Sequence, residues 1–389
     1  MSDTGVIAAS LYEAGAVALI DKGGGVRQVA LACSPRGVDI DPMGTTAWAV
    51  CQDSSSLHVI DIATAQVSVA PLGAPGADAV EYVPEGDSIV IASMAGEEIV
   101  VLRGITSGAY EDGGHIATPG ERPSKLAVRP EGAIAFAVTD SGSLLRIDIA
   151  AGKAKTISRM VTSRQFVDVA VGPTGHLFAA IWDATDPAAV ATSVQSINPG
   201  NGAKRSSVPL DMPGATTVDI AAGSRTLYVA SGFGVMVGSE NTGLFGVGIA
   251  ANGRLGAVTS VGAPPVFGSA VGLSADASRR AFGTTNAQAL GLLTDDLPYP
   301  AITLTARATA RGVSASGTTA GMATGTRLTL YVKDLAKPGA GFVAQRVKAP
   351  VRGDGSFAWS GRTSAMSIEV YAQAPDGTRS ATVRVVRRS

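Results

Sequence analysis

Residues 37–67, GVDIDPMGTTAWAVCQDSSSLHVIDIATAQV, read as four short strands separated by turns. The alternating opening segment runs into Pro42-Met43-Gly44, where proline presets φ and glycine tolerates the left-handed conformation. The return segment is rich in residues that suit a pleated surface, and a polar turn follows it. The stretch therefore predicts a small antiparallel sheet. We expect its strands at 38–41, 46–50, 57–61 and from 67 onward.

Weaker copies of the opening hairpin recur along the chain. Each copy reads apolar, any, apolar, any, and then Pro or Ala. The copies begin at Val38, Val80, Leu126, Val169, Val218 and Val271. Their spacing of 42 to 53 residues is typical of propeller blades with outer loops of variable length, and it excludes leucine-rich and ankyrin repeats. The sequence thus predicts an all-β fold, with a β-propeller over residues 1–296.

Three segments resemble the YVTN family of β-propeller repeats, whose blades pair an S-P-D-G-x-x-L-Y-V-A hairpin with a V-I-D-x-x-T-G-K-V strand and turn. They are TLYVAS at 226–231, VIDIAT at 59–64 and IDIAAGK at 147–153. The likeness covers residues 6–295. Family members include lactonase-like enzymes, surface proteins and binding scaffolds, so the resemblance implies a fold and leaves the function open.

The two ends of the repeat region each hold an incomplete set of strands. Residues 6–31 read as three strands, and three more are expected between Val271 and Thr294. If each set forms its own blade, the propeller has seven blades. The alternative is a six-bladed ring in which the two ends share one blade. In both arrangements the open sheet edges are covered, whereas exposed edges would pair with strands of other chains and cause aggregation.

A second domain is predicted after a short linker. Two acidic residues and two prolines occupy 295–300, and prolines stiffen the chain because they fix φ and restrict the preceding residue. We place the linker at 297–300 and the second domain at 301–389. Its short alternating segments are similar in spacing to the strands of immunoglobulin-like or fibronectin type III β-sandwiches. They lie at 302–308, 327–333, 342–347, 356–360, 367–372 and 382–386.

Charge divides sharply at this linker. Residues 301–389 carry 13 basic and 4 acidic side chains, a net charge of +9, which leaves 18 basic and 28 acidic side chains before them, a net charge of −10. Such asymmetry favours an acidic partner for the basic domain, first the propeller of another copy and next an anionic surface. No nucleic-acid site is predicted, because the nearby aromatics alternate as core residues do. The expected interaction residues are Arg346, Lys348, Arg352, Arg384, Arg387 and Arg388.

Carboxylates at one position of the opening strands are the candidate metal ligands. Asp39, Glu81 and Asp219 each follow the leading apolar residue of their copy, and opening strands line the central channel of a propeller. Carboxylates gathered there could hold a cation. No other cofactor is predicted. The histidines, His58, His115 and His176, fall at different blade positions, and no catalytic set is assigned to them.

Cys33 and Cys51 are expected to be two small buried residues rather than a disulfide. The first residues lack a basic stretch followed by an apolar one, so neither a signal peptide nor a membrane anchor is predicted. We therefore expect synthesis in a cytoplasm, with a virion or another exported particle as a later destination.

Two hypotheses about function follow. In the first, the chain is a non-enzymatic structural or interaction protein, a propeller scaffold that a basic sandwich docks onto an assembly or surface, such as a virion or tail component. In the second, it is a lactonase-like hydrolase or lyase that uses the acidic channel. The scarcity of clustered histidine and arginine favours the first.

Overall fold

A computed structural model provides the structure of the chain. It describes residues 2–386 except at 3, 22, 84–85, 130–131, 162, 173–174, 186–190, 211–214, 223–225, 234–243, 251, 261–267, 274–278, 285–289, 295–301, 303, 310–311, 320–321, 323, 338–340, 376–379 and 381. For the strand residues 215–219, 231–233, 244, 259–260, 268–273, 279–284 and 290–294, only the backbone is described. The described residues form strands and turns without a helix, so the predicted all-β class is confirmed.

Seven antiparallel sheets follow one another in the first part of the chain, and each sheet pairs its strands in sequence order. The first sheet contains β1 (Ile7–Leu11), β2 (Ala16–Ile20) and β3 (Val26–Ala30). Three four-stranded sheets follow, with β4 (Pro35–Ile40), β5 (Thr46–Cys51), β6 (Ser56–Asp61) and β7 (Val67–Pro71); β8 (Ala77–Val83), β9 (Ser88–Ser93), β10 (Glu98–Arg103) and β11 (Glu111–Ala117); and β12 (Pro123–Val128), β13 (Ile134–Thr139), β14 (Ser143–Asp148) and β15 (Lys153–Arg159).

Two more four-stranded sheets and a three-stranded one complete this part. They contain β16 (Arg164–Val171), β17 (Leu177–Asp183), β18 (Ala191–Ile197) and β19 (Lys204–Leu210); β20 (Ala215–Ala222), β21 (Thr226–Phe233), β22 (Leu244–Ile249) and β23 (Leu255–Ser260); and β24 (Gly268–Leu273), β25 (Arg279–Thr284) and β26 (Leu290–Thr294). The two terminal triplets form separate sheets, which favours seven blades over the six-bladed alternative.

The first strand of each sheet lies next to the first strand of the following sheet, from β1 through β4, β8, β12, β16 and β20 to β24. This succession is the inner ring of a propeller. Each of the six predicted hairpin copies begins in one of these innermost strands, as the sequence indicates. The outermost strands β3 and β7 are mostly exposed, since they form the rim.

The hydrophobic core lies between neighbouring blades. Trp48 of β5, for example, packs in one cluster with Val80, Ile89 and Ile91 of the next blade. Because both faces of the second to fifth blades are covered in this way, their middle strands read as continuous apolar runs: every residue of β9 and of β13 is buried. The ring is therefore held by a series of apolar layers rather than by one central core.

A β-bulge recurs at the same place in the innermost strands of blades two to seven. The extra residue lies between Pro35 and Gly37 in β4 and between Ala77 and Ala79 in β8, and the other four strands repeat it. A bulge strengthens local twist and bends a strand. The bulge lets each innermost strand turn toward the channel while its sheet stays packed between the neighbouring blades.

Buried carboxylates join neighbouring innermost strands. Asp168 of β16 is 4% exposed, and its Oδ2 accepts a hydrogen bond of 2.6 Å from the backbone N–H of Ile220 in β20. An N–H that points to the preceding blade cannot also bond the hairpin partner within its own sheet. The carboxylate therefore satisfies a backbone donor at the inner edge of the next blade.

The residues after the predicted linker form two antiparallel sheets. One contains β27 (Thr305–Thr309), β28 (Gly312–Thr318) and β32 (Ser356–Arg362). The other contains β29 (Arg327–Asp334), β30 (Val343–Ala344), β33 (Ser367–Gln373) and β34 (Val383–Val386), with β31 (Ala349–Pro350) paired to β29. Both contribute to one core that includes Leu330, Phe357 and Trp359. We call this part the C-terminal unit.

The sequence analysis missed two strands of this unit, β28 and the two-residue β31, and predicted another strand too long. The predicted strand at 342–347 is reduced to Val343–Ala344. The predicted immunoglobulin-like type and the domain limits at 296 and 301 stay predictions, and the linker at 297–300 lies outside the described residues. Within the described part of the chain, no helix is long and apolar enough to span a membrane.

Gly37→Ala tests the close approach of innermost strands. A Cβ at Gly37 would lie 2.7 Å from the Cα of Ala79 and 2.9 Å from the carbonyl oxygen of Asp78, both backbone atoms of the next blade. We expect the substitution to lower the free energy of unfolding by about 1–3 kcal/mol through overpacking. The measurement is the urea midpoint, with Gly256→Ala as a control because its nearest atom lies at 3.6 Å. Equal midpoints for both variants would contradict the close approach.

Asp168→Ala tests the carboxylate link between blades. The substitution leaves the buried N–H of Ile220 without its acceptor, so we expect a loss of about 1–3 kcal/mol in the free energy of unfolding. Asp140→Ala is the matched control, since Asp140 is exposed and its carboxylate forms an ion pair of 3.1 Å with the exposed Arg122. Such a surface pair contributes about 0–1 kcal/mol. A loss no greater than that of the control would refute the structural role of Asp168.

Candidate functional site

The predicted metal ligands lie on three innermost strands in one register. Asp39, Glu81 and Asp219 each follow the bulged residue of β4, β8 or β20 by three positions. Asp39 accepts hydrogen bonds from two backbone donors, Ile40 N at 2.8 Å and Tyr82 N at 2.7 Å, one to each oxygen. Like Asp168, it joins its own blade to the next one.

Burial raises the pKa of Asp39, and the hydrogen bonds from Tyr82 and Ile40 oppose that rise. Glu81 is half-buried and takes part in a polar interaction of its own. The side chain of Asp219 lies outside the described residues. A channel cation held by these three carboxylates therefore stays a prediction, and the arrangement seen at Asp39 is that of a structural acceptor.

The predicted interaction residues divide between two edges of the C-terminal unit. Arg346, Lys348 and Arg352 are exposed on the segment that runs from β30 past β31. Val343 and Val347 of the same segment are 64% and 68% exposed. We call residues 343–348, together with Arg352, the exposed segment.

The remaining predicted residues are not part of this segment. Arg384 is exposed on β34, at the opposite edge of the same sheet. Arg387 and Arg388 lie outside the described residues. The structure therefore brings three of the six predicted basic residues together and places one of them elsewhere.

A cavity of about 180 Å³ opens beside the exposed segment. Its lining includes Asp334, Lys337, Gln345, Trp359 and Arg362, so two basic side chains and one acidic side chain line it. The indole N–H of Trp359, a residue 6% exposed, is buried and has no acceptor among the described residues. The excess of basic side chains makes the cavity suited to an anionic group.

One lysine links the C-terminal unit to the propeller. Lys333 of β29 is 3% exposed, and its Nζ donates a hydrogen bond of 3.4 Å to the hydroxyl of Tyr82 in β8. Tyr82 stacks on Trp48, with ring centroids 5.9 Å apart. The indole N–H of Trp48 donates to the hydroxyl of Tyr110 at 3.2 Å. These aromatic residues and Lys333 join the second and third blades to the C-terminal unit.

No local signal in the sequence separates Lys333 from the other basic residues of this unit. Its strand alternates, with Leu328 and Leu330 in the core of the unit, so Lys333 lies on the opposite face with Tyr331. Tyr331 and Tyr371 stack there with ring centroids 4.8 Å apart. Tyr331 and Tyr371 lie on the face of the sheet that points away from the core of the C-terminal unit, where polar residues are expected. Aromatic residues at these positions could have indicated from the sequence that this face is covered.

Cys33 and Cys51 form a disulfide, so the expectation of two separate buried thiols is wrong. Cys51 ends β5, opposite Pro35 of β4, and Cys33 precedes Pro35 by two residues. The Cα atoms lie 6.0 Å apart, within the range that a disulfide spans. The antiparallel pairing of β4 and β5 therefore brings together two cysteines that are 18 positions apart in sequence.

His58 lies against this disulfide. It is in β6, which pairs with β5, and it is 5% exposed. Its Nδ1 is 3.6 Å from the Sγ of Cys33, and its Nε2 is 3.7 Å from the same atom. Burial lowers the pKa of His58, and the negative charge of Asp53 opposes this effect. The imidazole is therefore held mainly neutral near pH 7.

The other two histidines lie elsewhere. His115 of β11 bonds Glu98 through Nδ1 at 2.9 Å, and His176 precedes β17. Among the described residues, Cys33, Cys51 and His58 form the one group of three potential metal-binding side chains whose ligand atoms lie within 4.8 Å of one another. The sequence hinted at this group only through Cys51 and His58, which flank the turn between β5 and β6.

No protein-family model matches the chain, and no curated protein matches it. Solved structures of β-propeller proteins are similar to it in fold. The hydrazine synthase of Kuenenia stuttgartiensis has a TM-score of 0.61 at 17% identity, over 76% of this chain and 94% of that one. A streptogramin B lyase has a TM-score of 0.58 at 13% identity, over 76% and 91% of the two chains.

A chain of the mitotic checkpoint complex has a TM-score of 0.56 at 13% identity, over 76% of this chain and 85% of that one. At such low identities these similarities show the fold alone. They include two enzymes, a synthase and a lyase, as well as a chain of a checkpoint complex. The comparisons thus establish that this chain shares the β-propeller architecture.

Proposed function

We propose that the chain is a non-enzymatic interaction protein, in which a propeller scaffold carries a basic C-terminal unit that docks onto an acidic surface. The observation that carries the proposal is the charge division, with +9 after residue 300 and −10 before it. Opposite charges on two parts of one chain favour contact between copies, because each part attracts the other part of its neighbour. The first partner is therefore the propeller of a second copy.

The exposed segment supports this docking role. Arg346 and Lys348 alternate there with exposed valines, so the segment offers both charge and apolar area to a partner. Apolar area becomes favourable binding energy only when a partner covers it. The cavity beside it is lined by Lys337 and Arg362 and by one acidic residue, Asp334, whose carboxylate lies 3.9 Å from the Nζ of Lys337. The excess of basic over acidic side chains favours a carboxylate side chain of the partner there.

The channel contributes to the same proposal. A hydrolase or lyase of the alternative hypothesis needs a carboxylate that is able to act on a substrate. Both oxygens of Asp39 already accept backbone hydrogen bonds, and Asp168 bonds the next blade in the same way. We place the partner-binding surface on the outside of the molecule, and a particle built from many copies, such as a virion, is the setting we propose for it.

Light scattering after size exclusion tests the proposal. In dilute salt we expect species heavier than the 39.0 kDa monomer, which dissociate as the salt concentration approaches about 1 M, because exposed charges are then screened within about 3 Å. The variant Arg346→Glu/Lys348→Glu/Arg352→Glu should be monomeric even in dilute salt. A monomer at every salt concentration would refute association between copies.

The matched control is Lys153→Glu/Lys155→Glu. Both lysines are exposed on β15 of the propeller, so the change also replaces basic side chains by acidic ones. Because it makes the acidic partner surface more acidic, it should leave association intact. If the control dissociates as fully as the variant of the exposed segment, net charge rather than the proposed surface drives assembly.

A further inference from the structure

The group formed by Cys33, Cys51 and His58 has a geometry that the docking function does not use. Three consecutive strands position it at one end of the second blade: Cys33 just before β4, Cys51 at the end of β5 and His58 in β6. Cys51 is 0% exposed and His58 is 5% exposed. Strand pairing fixes the backbones of Cys51 and His58, which lie opposite Pro35 and Ala49, and Cys33 precedes Pro35 by two residues.

The sulfur-to-nitrogen distances match those of a tetrahedral zinc site. Zinc binds thiolate sulfur at about 2.3 Å and imidazole nitrogen at about 2.0–2.1 Å, so at the tetrahedral angle the two ligand atoms lie about 3.6 Å apart. The Sγ of Cys33 is 3.6 Å from Nδ1 of His58 and 3.7 Å from Nε2. The second sulfur has to move from its bond with Cys33 to about 3.8 Å from it. The imidazole also has to turn so that one of its nitrogens faces the metal, because the Sγ of Cys33 lies almost equally far from both.

Both sulfurs become ligands once the disulfide is reduced. A dithiol reductant donates two electrons and two protons, the S–S bond breaks, and two cysteine thiols form while the reductant closes into its own disulfide. Binding of Zn²⁺ then releases two thiol protons to solvent and leaves two thiolates on the metal. With the imidazole, this makes a Cys₂His set with a fourth position open to water.

We propose that the second blade holds a zinc-class metal site whose ligands are Cys33, Cys51 and His58, and that the disulfide is its oxidised, metal-free state. The disulfide and the metal exclude each other because both need the same two sulfurs. Reduction therefore opens the site and oxidation closes it. The class of metal follows from the donors, since two thiolates and one imidazole favour zinc over magnesium or calcium, which prefer oxygen.

The experiment uses the full-length chain in two states, oxidised and reduced. The reduced sample is treated with a dithiol that is then removed without air, and each sample is titrated with Co²⁺ as a spectroscopic substitute for zinc, followed by Zn²⁺. We expect the reduced protein to bind one equivalent, with a thiolate-to-cobalt charge-transfer band that Zn²⁺ abolishes. The oxidised protein should show no such band.

Three variants separate the site from general metal binding. Cys51→Ser should abolish the charge-transfer band, and His58→Asn should weaken Co²⁺ binding by about tenfold or more, because even the loss of an outer hydrogen-bond partner costs that much in metal sites. His58→Asn also keeps both cysteines, so it remains informative if Cys51→Ser fails to fold. The control is His115→Gln, an exposed histidine on another blade, which should bind as the unchanged protein does.

Two results would overturn the proposal. One is a reduced, folded protein that takes up no Co²⁺ and no Zn²⁺. The other is equal binding by the unchanged protein and His58→Asn. In either case the cysteines form a structural disulfide only. Neither result bears on association through the exposed segment, which light scattering measures separately.

Discussion

The backbone edge of each innermost strand is the constraint on which the ring depends. An innermost strand pairs on one side with its own sheet, and its other edge presents N–H groups toward the preceding blade, where unpaired donors are costly. Asp39 supplies an acceptor to Tyr82, and Asp168 supplies one to Ile220. Asp39 and Asp168 thus connect neighbouring blades through hydrogen bonds. Hydrogen bonds depend on orientation, so they restrict how two blades can pack, whereas the apolar layers beside them do not.

This constraint changes how the channel carboxylates are interpreted. Acidic residues in one register of a propeller suggest an ion or a catalytic pair, yet the two oxygens of Asp39 are occupied by backbone donors. Among the described residues, two other groups of chemical interest lie away from the inner ring. The second blade carries two sulfurs and an imidazole, and the C-terminal unit carries a basic segment with a cavity. Lys333 and Tyr82 connect this unit to the propeller.

Local signals in the sequence predicted the fold, whereas contacts between residues distant in sequence could not be predicted from them. The six hairpin copies marked the innermost strands because turn chemistry and alternation are local properties. The disulfide was missed because it depends on the pairing of Cys51 opposite Pro35. Strand β28 was missed because its serines and glycines give a weak strand signal. One of these glycines, Gly312, is required by the structure, because a Cβ there would clash with the carbonyl oxygen of Gly361. Lys333 was counted only as one of the basic residues because nothing local shows which face the propeller covers.

Hydrogen–deuterium exchange resolved to single residues tests most directly whether channel carboxylates join the blades. In the unchanged protein, the amide of Tyr82 should be protected although it points away from its own hairpin, and Asp39→Ala should abolish that protection. The buried amide of Ile91 in the same blade reports any general loosening and should keep its protection. Rapid exchange of Tyr82 in the unchanged protein, or equal protection with and without the Asp39 carboxylate, would contradict the account.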